Sequence, residues 1–368
     1  MTRNLFRKGI DKLTPYVPGK PIEDVKREYG VKEITRLASN ENPFGPSPKA
    51  IEEMKKTIGD SWLYPEPSCR TLREKLAVLN ELSIGNFVVG NGADHLITMV
   101  GNAFINDSDE IIYCTPTFTS YREITLLMGG IPVEIPLTKD YVYDLDSILA
   151  AVTERTKLIF ICNPNNPTGT IVQKEKLEWF LTQLPEHVIV VLDEAYVEFI
   201  RESDYTTGTE LIKAGHRIIA LRTFSKLYGL AGARVGYAIG KEKILAPLRA
   251  VRQTFAVNRF GIAGAEATLD DLNYSNEVLQ HIQKEVTRIT KEFQALDYEV
   301  VESHANFIFM DVKEDASKVS DYLLRKGLII RPCKAWGLNT HIRVTVGTQM
   351  QNDNLIIALK EMKKIGVV

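Results

Sequence analysis

The sequence has little net charge and few of the residues that build metal or disulfide frameworks. Its 45 Lys and Arg oppose 47 Asp and Glu, for a formal net charge of −2. The broad basic field that dominates nucleic-acid affinity is therefore missing, and any anion site must be local. Only four cysteines occur: Cys69, Cys114, Cys162 and Cys333. They are too scattered for a C-x-x-C metal or redox motif, and two sit inside apolar runs, so they read as buried free thiols of a reducing compartment. The six histidines lack H-E-x-x-H spacing and Ser225 has no nucleophile-elbow glycines, which removes zinc-protease and serine-hydrolase readings. No stretch approaches the roughly 18 consecutive apolar residues that a membrane span needs, and the chain opens on a charged segment. A cytoplasmic protein that holds no metal and binds neither membrane nor nucleic acid is expected.

What is present is the balance of a globular enzyme. Hydrophobic residues make up 44% and charged residues 25% of a 368-residue chain, long enough for two or three domains and a deep cleft. The first 45 residues are rich in proline and turn residues, ending in the Leu37–Pro48 segment where little regular structure can persist, and they read as an arm laid over the rest. From about 50 to 270, short apolar runs alternate with amphipathic stretches, the signature of strand–helix–strand units and a mostly parallel sheet. The clearest strands are Phe87–Val89, Ile111–Tyr113, Leu158–Cys162, Val188–Leu192, Ile218–Leu221 and Val235–Ile239. Several end in polar residues, at the strand ends where open α/β sheets bind their ligands. A long polar helix is expected over about 272–300. Beyond it, Asn306–Asp311, Ala316–Lys326, Leu328–Arg331 and Ile342–Val346 suit a smaller α+β domain.

Five segments carry candidate chemistry. Gly90-Asn91-Gly92-Ala93-Asp94 joins a strand to a helix start, where bare amides and the positive helix end can hold an anion. Taken alone it serves equally as a tight turn, with Asp94 as a helix cap. In Asn163–Thr170, two Asn-Pro steps freeze a loop that aims Asn166 off a strand end. Asp193 closes the apolar run Val188–Leu192, so its carboxylate is carried into low dielectric and wants a cationic partner. Its bland alternative is a helix cap, and Tyr196 either fills the same pocket or merely packs. Thr223, Ser225 and Lys226 end another buried strand, with Arg234 close behind. A lysine held there can lose its proton and act as a nucleophilic amine, although a lone lysine after a strand is usually solvated. Arg331 and Arg343, on neighbouring strand-like segments, can grip carboxylate or phosphate bidentately or form structural ion pairs.

Together and in this order, the segments resemble the fold-type I pyridoxal-phosphate enzymes of the aminotransferase class, over essentially the whole chain. Leu37–Pro48, Trp62–Pro67, Asn91–Asp94, Thr223–Lys226 and Arg343–Thr348 are similar to the histidinol-phosphate aminotransferase family, whose relatives include aromatic aminotransferases and threonine-phosphate decarboxylases. The resemblance implies an α/β fold: a large domain over 46–275 with a mostly parallel, seven-stranded sheet flanked by helices, a small α+β domain over 276–368, and residues 1–45 as an arm joined to the small domain. It implies pyridoxal 5'-phosphate as cofactor and, as reaction, amino transfer between histidinol phosphate with 2-oxoglutarate and imidazole-acetol phosphate with glutamate, in histidine biosynthesis.

By the same resemblance, Lys226 carries the cofactor and then moves the Cα proton, and Asp193 pairs with the ring nitrogen. Asn166 and Tyr196 bond the ring's phenolic oxygen. Phe118 stacks on the ring where relatives often have tyrosine, with Tyr121 a weaker candidate. The cofactor phosphate lies among Gly92, Ala93, Asp94, Thr223, Ser225 and Arg234, with Tyr64 of the partner subunit reaching in, which implies a homodimer. Arg343 holds the α-carboxylate of glutamate, while Arg331 and Tyr16 contact the phosphate end of the substrate. Asn166 borders the substrate as well. A pyridoxal-phosphate-binding regulator on the same fold would need a DNA-binding module, and the first 45 residues offer no helix-turn-helix.

Overall fold

The structure, a computed structural model, describes residues 7–13 and 20–364; Tyr16 lies outside them. Among the described residues the strands are β1 (Thr35–Arg36), β2 (Phe87–Gly90), β3 (Glu110–Thr115), β4 (Ile131–Pro136), β5 (Thr156–Cys162), β6 (Ile189–Asp193), β7 (Ile218–Thr223), β8 (Gly236–Gly240), β9 (Glu299–Val300), β10 (Phe307–Asp311), β11 (Leu328–Ile329), β12 (Arg331–Pro332) and β13 (His341–Thr345).

Seven of them form one sheet in the order β2-β8-β7-β6-β5-β3-β4, parallel except for β8, which runs antiparallel to both neighbours. Strands β5, β6 and β7 are runs of Ile, Leu, Val and Phe buried on both faces, as a helix-covered parallel sheet requires. The all-apolar centre fixes the register, and the register places the polar strand ends together. Cys162 pairs with Asp193, Asp193 with Leu221, and Thr223 with Gly236. The mostly parallel α/β sheet expected from the sequence is thus the observed one. The sequence reading gave no strand at Ile131–Pro136, an edge strand whose two prolines leave it no apolar signature.

A second core surrounds the sheet β12-β13-β10-β9, the 23-residue helix Leu272–Gln294 and the helix Gln349–Lys364. The Leu328–Arg331 run expected as one strand is two. Leu328–Ile329 pairs in parallel with β1, whereas Arg331 turns to pair with Arg343 in β13. Residues before 45 are also more regular than proline-rich text implies, with a helix at Ile22–Tyr29 packed near helix Ala316–Arg325 and anchored by the Tyr29–Asp321 hydrogen bond of 2.9 Å. From β1 the chain crosses to the small sheet, where Leu37 O accepts from Thr345 N at 2.8 Å. Ala38–Glu41 is thereby drawn along the carboxyl edge of the large sheet, between the two cores. All four cysteines are buried and unpaired. No helix of the described residues is long and apolar enough to cross a membrane, and no described cluster of His, Cys, Asp and Glu suits a metal ion.

Candidate active site

The carboxyl ends of β2, β5, β6 and β7 open into a cleft of about 790 Å³, closed on its other side by Ala38–Glu41 and by Arg331, Trp336 and Arg343 at the four-stranded sheet. One end of the cleft is built for an anion. Helix Ala93–Phe104 starts directly after β2 through Gly92, whose φ of 84° only glycine adopts freely. Gly236 lets the turn settle on the sheet, since a Cβ there would meet Ala93 N and Gly92 C at 2.9 Å. Facing the helix N-terminus, Ser225 N donates to Thr223 Oγ1 at 3.1 Å, and the two hydroxyls lie 2.9 Å apart. Arg234 Nη1 reaches Ser225 Oγ at 3.4 Å, while its Nη2 stands 3.9 Å from Asp94. Asp94 also accepts from Ser120 Oγ at 3.3 Å. Amides at a helix start, two hydroxyls and a guanidinium converge here, the arrangement that holds a phosphate.

The floor of the cleft is a buried carboxylate. Asp193 is only 3% exposed; it accepts from Tyr121 Oη at 2.7 Å and from Ala195 N at 3.1 Å. Burial pushes its carboxyl up to about 6, against the opposing pull of the Tyr121 hydroxyl and the Ala195 amide. Within the chain, a phenol and an amide satisfy the carboxylate that the sequence marks for a cationic partner. Tyr121 likewise is not a face of the cleft. Its ring is fully buried and stacks on Phe160 at 4.6 Å, because its helix turns that side chain inward, and Phe118 lines the cleft instead.

Lys226 Nζ donates to Ser39 O at 3.2 Å and lies 5.5 Å from the Tyr196 ring centre. Burial and then the nearby Arg343 charge lower its amine to about 8, so a neutral nucleophile is accessible near neutral pH. Tyr196 Oη accepts from Asn40 Nδ2 at 2.9 Å. Arg343 is buried; its Nη1 donates to Asn166 Oδ1 and its Nη2 to Ala38 O at 2.7 Å. Arg331 pairs with Arg343 across the β12–β13 ladder, so both side chains leave the small sheet together. Trp336 lies between them, its ring centre 5.7 Å from the Arg331 guanidinium and 5.8 Å from that of Arg343, and its Nε1 donates at 2.7 Å to Thr117 O, beyond the end of β3.

Lys226, Asp193, Tyr196, Asn166, Phe118, Ala93, Asp94, Thr223, Ser225, Arg234, Arg331 and Arg343 therefore line one cleft. Gly92 sits behind it, against the Arg234 guanidinium. Tyr64 is elsewhere on this chain, 75% exposed and stacked on Phe255 at 4.3 Å. Sequence reasoning missed Ser39, Asn40 and Trp336. The first two sit in a segment without periodicity, and an isolated Trp carries no motif.

The sequence model of the family described as aminotransferase class I and II matches residues 32–359. The chain belongs to this family. Within it, the aminotransferase is 42% identical over 357 residues to a histidinol-phosphate aminotransferase of Moorella thermoacetica, covering 97% of this chain and 92% of that one. A histidinol-phosphate aminotransferase of Caldicellulosiruptor saccharolyticus is 41% identical over 358 residues, covering 97% of this chain and all of its own length. Among solved structures, the aminotransferase is similar to the histidinol-phosphate aminotransferase of Sinorhizobium meliloti in complex with pyridoxal-5'-phosphate. There the TM-score is 0.90 at 30% identity, over 99% of this chain and 98% of that one.

Proposed function

We propose that this aminotransferase interconverts histidinol phosphate and 2-oxoglutarate with imidazole-acetol phosphate and glutamate, in cytoplasmic histidine biosynthesis, using pyridoxal 5'-phosphate. The observation that carries this reading is the placing of two arginines, Arg331 and Arg343, opposite Lys226 and Asp193 in one cleft. The donor set fits the cofactor: a phosphate seat at Ala93, Asp94, Thr223, Ser225 and Arg234, a buried carboxylate at Asp193, and a lysine of lowered pKa between them. When bound, this cofactor supplies an electron sink for the pair left on Cα after proton removal.

The chain's own residues do the rest. Lys226 would tether the cofactor and, once displaced by the substrate amine, would serve as the neutral base that takes the proton from Cα and delivers it to C4′ of the cofactor. Asp193 would hold the proton of the cofactor's ring nitrogen, and Phe118, which lines the same cleft, would stack on the ring. Tyr196 and Asn166 would supply a hydroxyl and an amide to the phenolic oxygen; Asn40 and Arg343 hydrogen-bond them respectively. Arg343 grips the α-carboxylate of glutamate, and Arg331 with Tyr16 holds the phosphate of the other substrate. A planar guanidinium suits either anion, so one pocket serves both half-reactions.

Tyr64, exposed beside Phe255, is available to a second copy, which supports a homodimer with shared sites. On this reading residues 46–275 form the large cofactor-binding domain, residues 276–368 the small domain, and residues 1–45 an arm and part of the small domain. The test supplies the purified holoenzyme with glutamate and a panel of 2-oxo acids. Imidazole-acetol phosphate should give the highest kcat/KM. Preference for aromatic 2-oxo acids, or release of CO2 from threonine phosphate without any acceptor, would replace the reading with one of its relatives.

A further inference from the structure

Behind the cleft floor stands a phenol that the reaction as described does not use. Tyr121 lies on helix Ser120–Met128, is fully buried, and donates to Asp193 Oδ2 at 2.7 Å. Its ring is fixed by stacking on Phe160 at 4.6 Å and 11°, with Phe118 edge-on at 5.9 Å and Tyr113 at 6.3 Å. A ring clamped on several sides leaves its hydroxyl one direction, so the hydrogen bond fixes the plane of the carboxylate as well as one of its oxygens. Ala195 N takes the other oxygen at 3.1 Å. The titratable groups facing Asp193 are Cys162 of β5, Glu194 and Tyr196 beyond its own strand, Asp94 from the phosphate seat, and Tyr121. Of the neighbours that act on its carboxyl, Asp94 and Glu194 disfavour the charged form, as burial does. Tyr121 and the Ala195 amide favour it. Burial, and then the charge of Asp193, hold the phenol itself far above its ordinary range, so its proton stays on oxygen and Tyr121 acts only as a donor.

We propose that Tyr121 is a positioning residue: its buried hydroxyl orients the Asp193 carboxylate and keeps it ionised for the cofactor's ring nitrogen. The proposal rests on the ring-nitrogen role of Asp193. A carboxylate that loses this donor is both turned and more readily protonated, and a protonated Asp193 cannot support a charged ring nitrogen.

Tyr121→Phe is the decisive variant, because it keeps the ring and its stack on Phe160 and removes only the hydroxyl. In the holoenzyme kcat should fall roughly 10- to 100-fold, the rate equivalent of one hydrogen bond to a charged group, while KM for glutamate changes less than about threefold. In the apoprotein, which needs no turnover, the midpoint of the Asp193-dependent change in urea stability should move to a pH above that of wild type. Both effects should disappear when Tyr121→Phe is made on an Asp193→Asn background. Unchanged kcat and midpoint, or equal losses with and without Asp193, would assign Tyr121 to core packing and overturn the proposal. Near-wild-type kcat in Asp193→Asn alone would instead remove the ring-nitrogen reading, and the Tyr121 role with it.

Discussion

Arg343 of β13 and Asn166 of the loop after β5 meet between the two cores: the guanidinium donates to the amide oxygen. Its second nitrogen is spent on Ala38 O at 2.7 Å, so the arginine is oriented before any substrate arrives. Much of the cost of fixing a long side chain is thus met in the free enzyme, which favours tight, aligned capture of a carboxylate.

From this follows a pair of substitutions with different signatures. Arg343→Ala should depress kcat/KM for glutamate by more than about 100-fold, since it removes a bidentate contact and disturbs Asn166. Arg331→Ala should cost histidinol phosphate roughly 10- to 100-fold, about 1.5–3 kcal/mol, and phenylalanine much less. Steady-state kinetics with both amino donors decides. Equal losses for the two donors would show that Arg331 does not read phosphate.

The lysine can be titrated by its own chemistry. With its amine lowered to about 8, Lys226 in the apoprotein should react with pyridoxal phosphate increasingly as pH rises through that value, and should plateau above it. Borohydride trapping followed by peptide mapping at each pH measures this. Label on another lysine, or a midpoint near that of free lysine, would contradict the assignment.

Asp193 gives a stability signature of opposite sign. Its folded-state pKa, raised to about 6 from the ordinary 3.8, means the folded apoprotein binds more protons than the unfolded chain between those values. Stability from this group is therefore present at acid pH and lost as pH rises through 6, by about 3 kcal/mol. Lys226 runs the other way, its penalty being full below about 8 and relieved above it. Asp193→Asn should accordingly gain on wild-type apoprotein as pH rises from about 4 to 6 in urea unfolding. A constant difference across that range would exclude the buried titration.

Gly92→Ala tests the phosphate seat from behind. A Cβ there would stand 2.5 Å from Arg234 Nη2, at a φ that L-residues rarely adopt. Cofactor Kd should rise at least about tenfold as the guanidinium is displaced, with about 1–3 kcal/mol of stability lost. Fluorescence titration of the apoprotein measures the first and urea unfolding the second. A strained but stable protein with unchanged cofactor affinity would show that Arg234 does not hold the phosphate.

The sequence by itself determined the parallel sheet, because its central strands are uninterrupted apolar runs that only a two-sided burial can use. It also determined which residues end those strands, since a change from Val190-Val191-Leu192 to Asp193, or from Ala220-Leu221 to Thr223, is visible in one dimension. Its motifs were enough to group Lys226, Asp193, Asn166 and the two arginines. The tertiary structure alone decided who satisfies them. Tyr121 and Asp193 are 72 positions apart and Asn40 and Tyr196 are 156 apart, contacts that no periodicity encodes. Which way Tyr121 faces depends on how helix Ser120–Met128 packs toward Phe160 of β5, a packing outcome. The split of Leu328–Arg331 likewise depends on pairing with β1 from the far end of the chain. Local text specifies strand ends and turn chemistry; only long-range packing selects the neighbours that orient a carboxylate, an amide or a guanidinium for work.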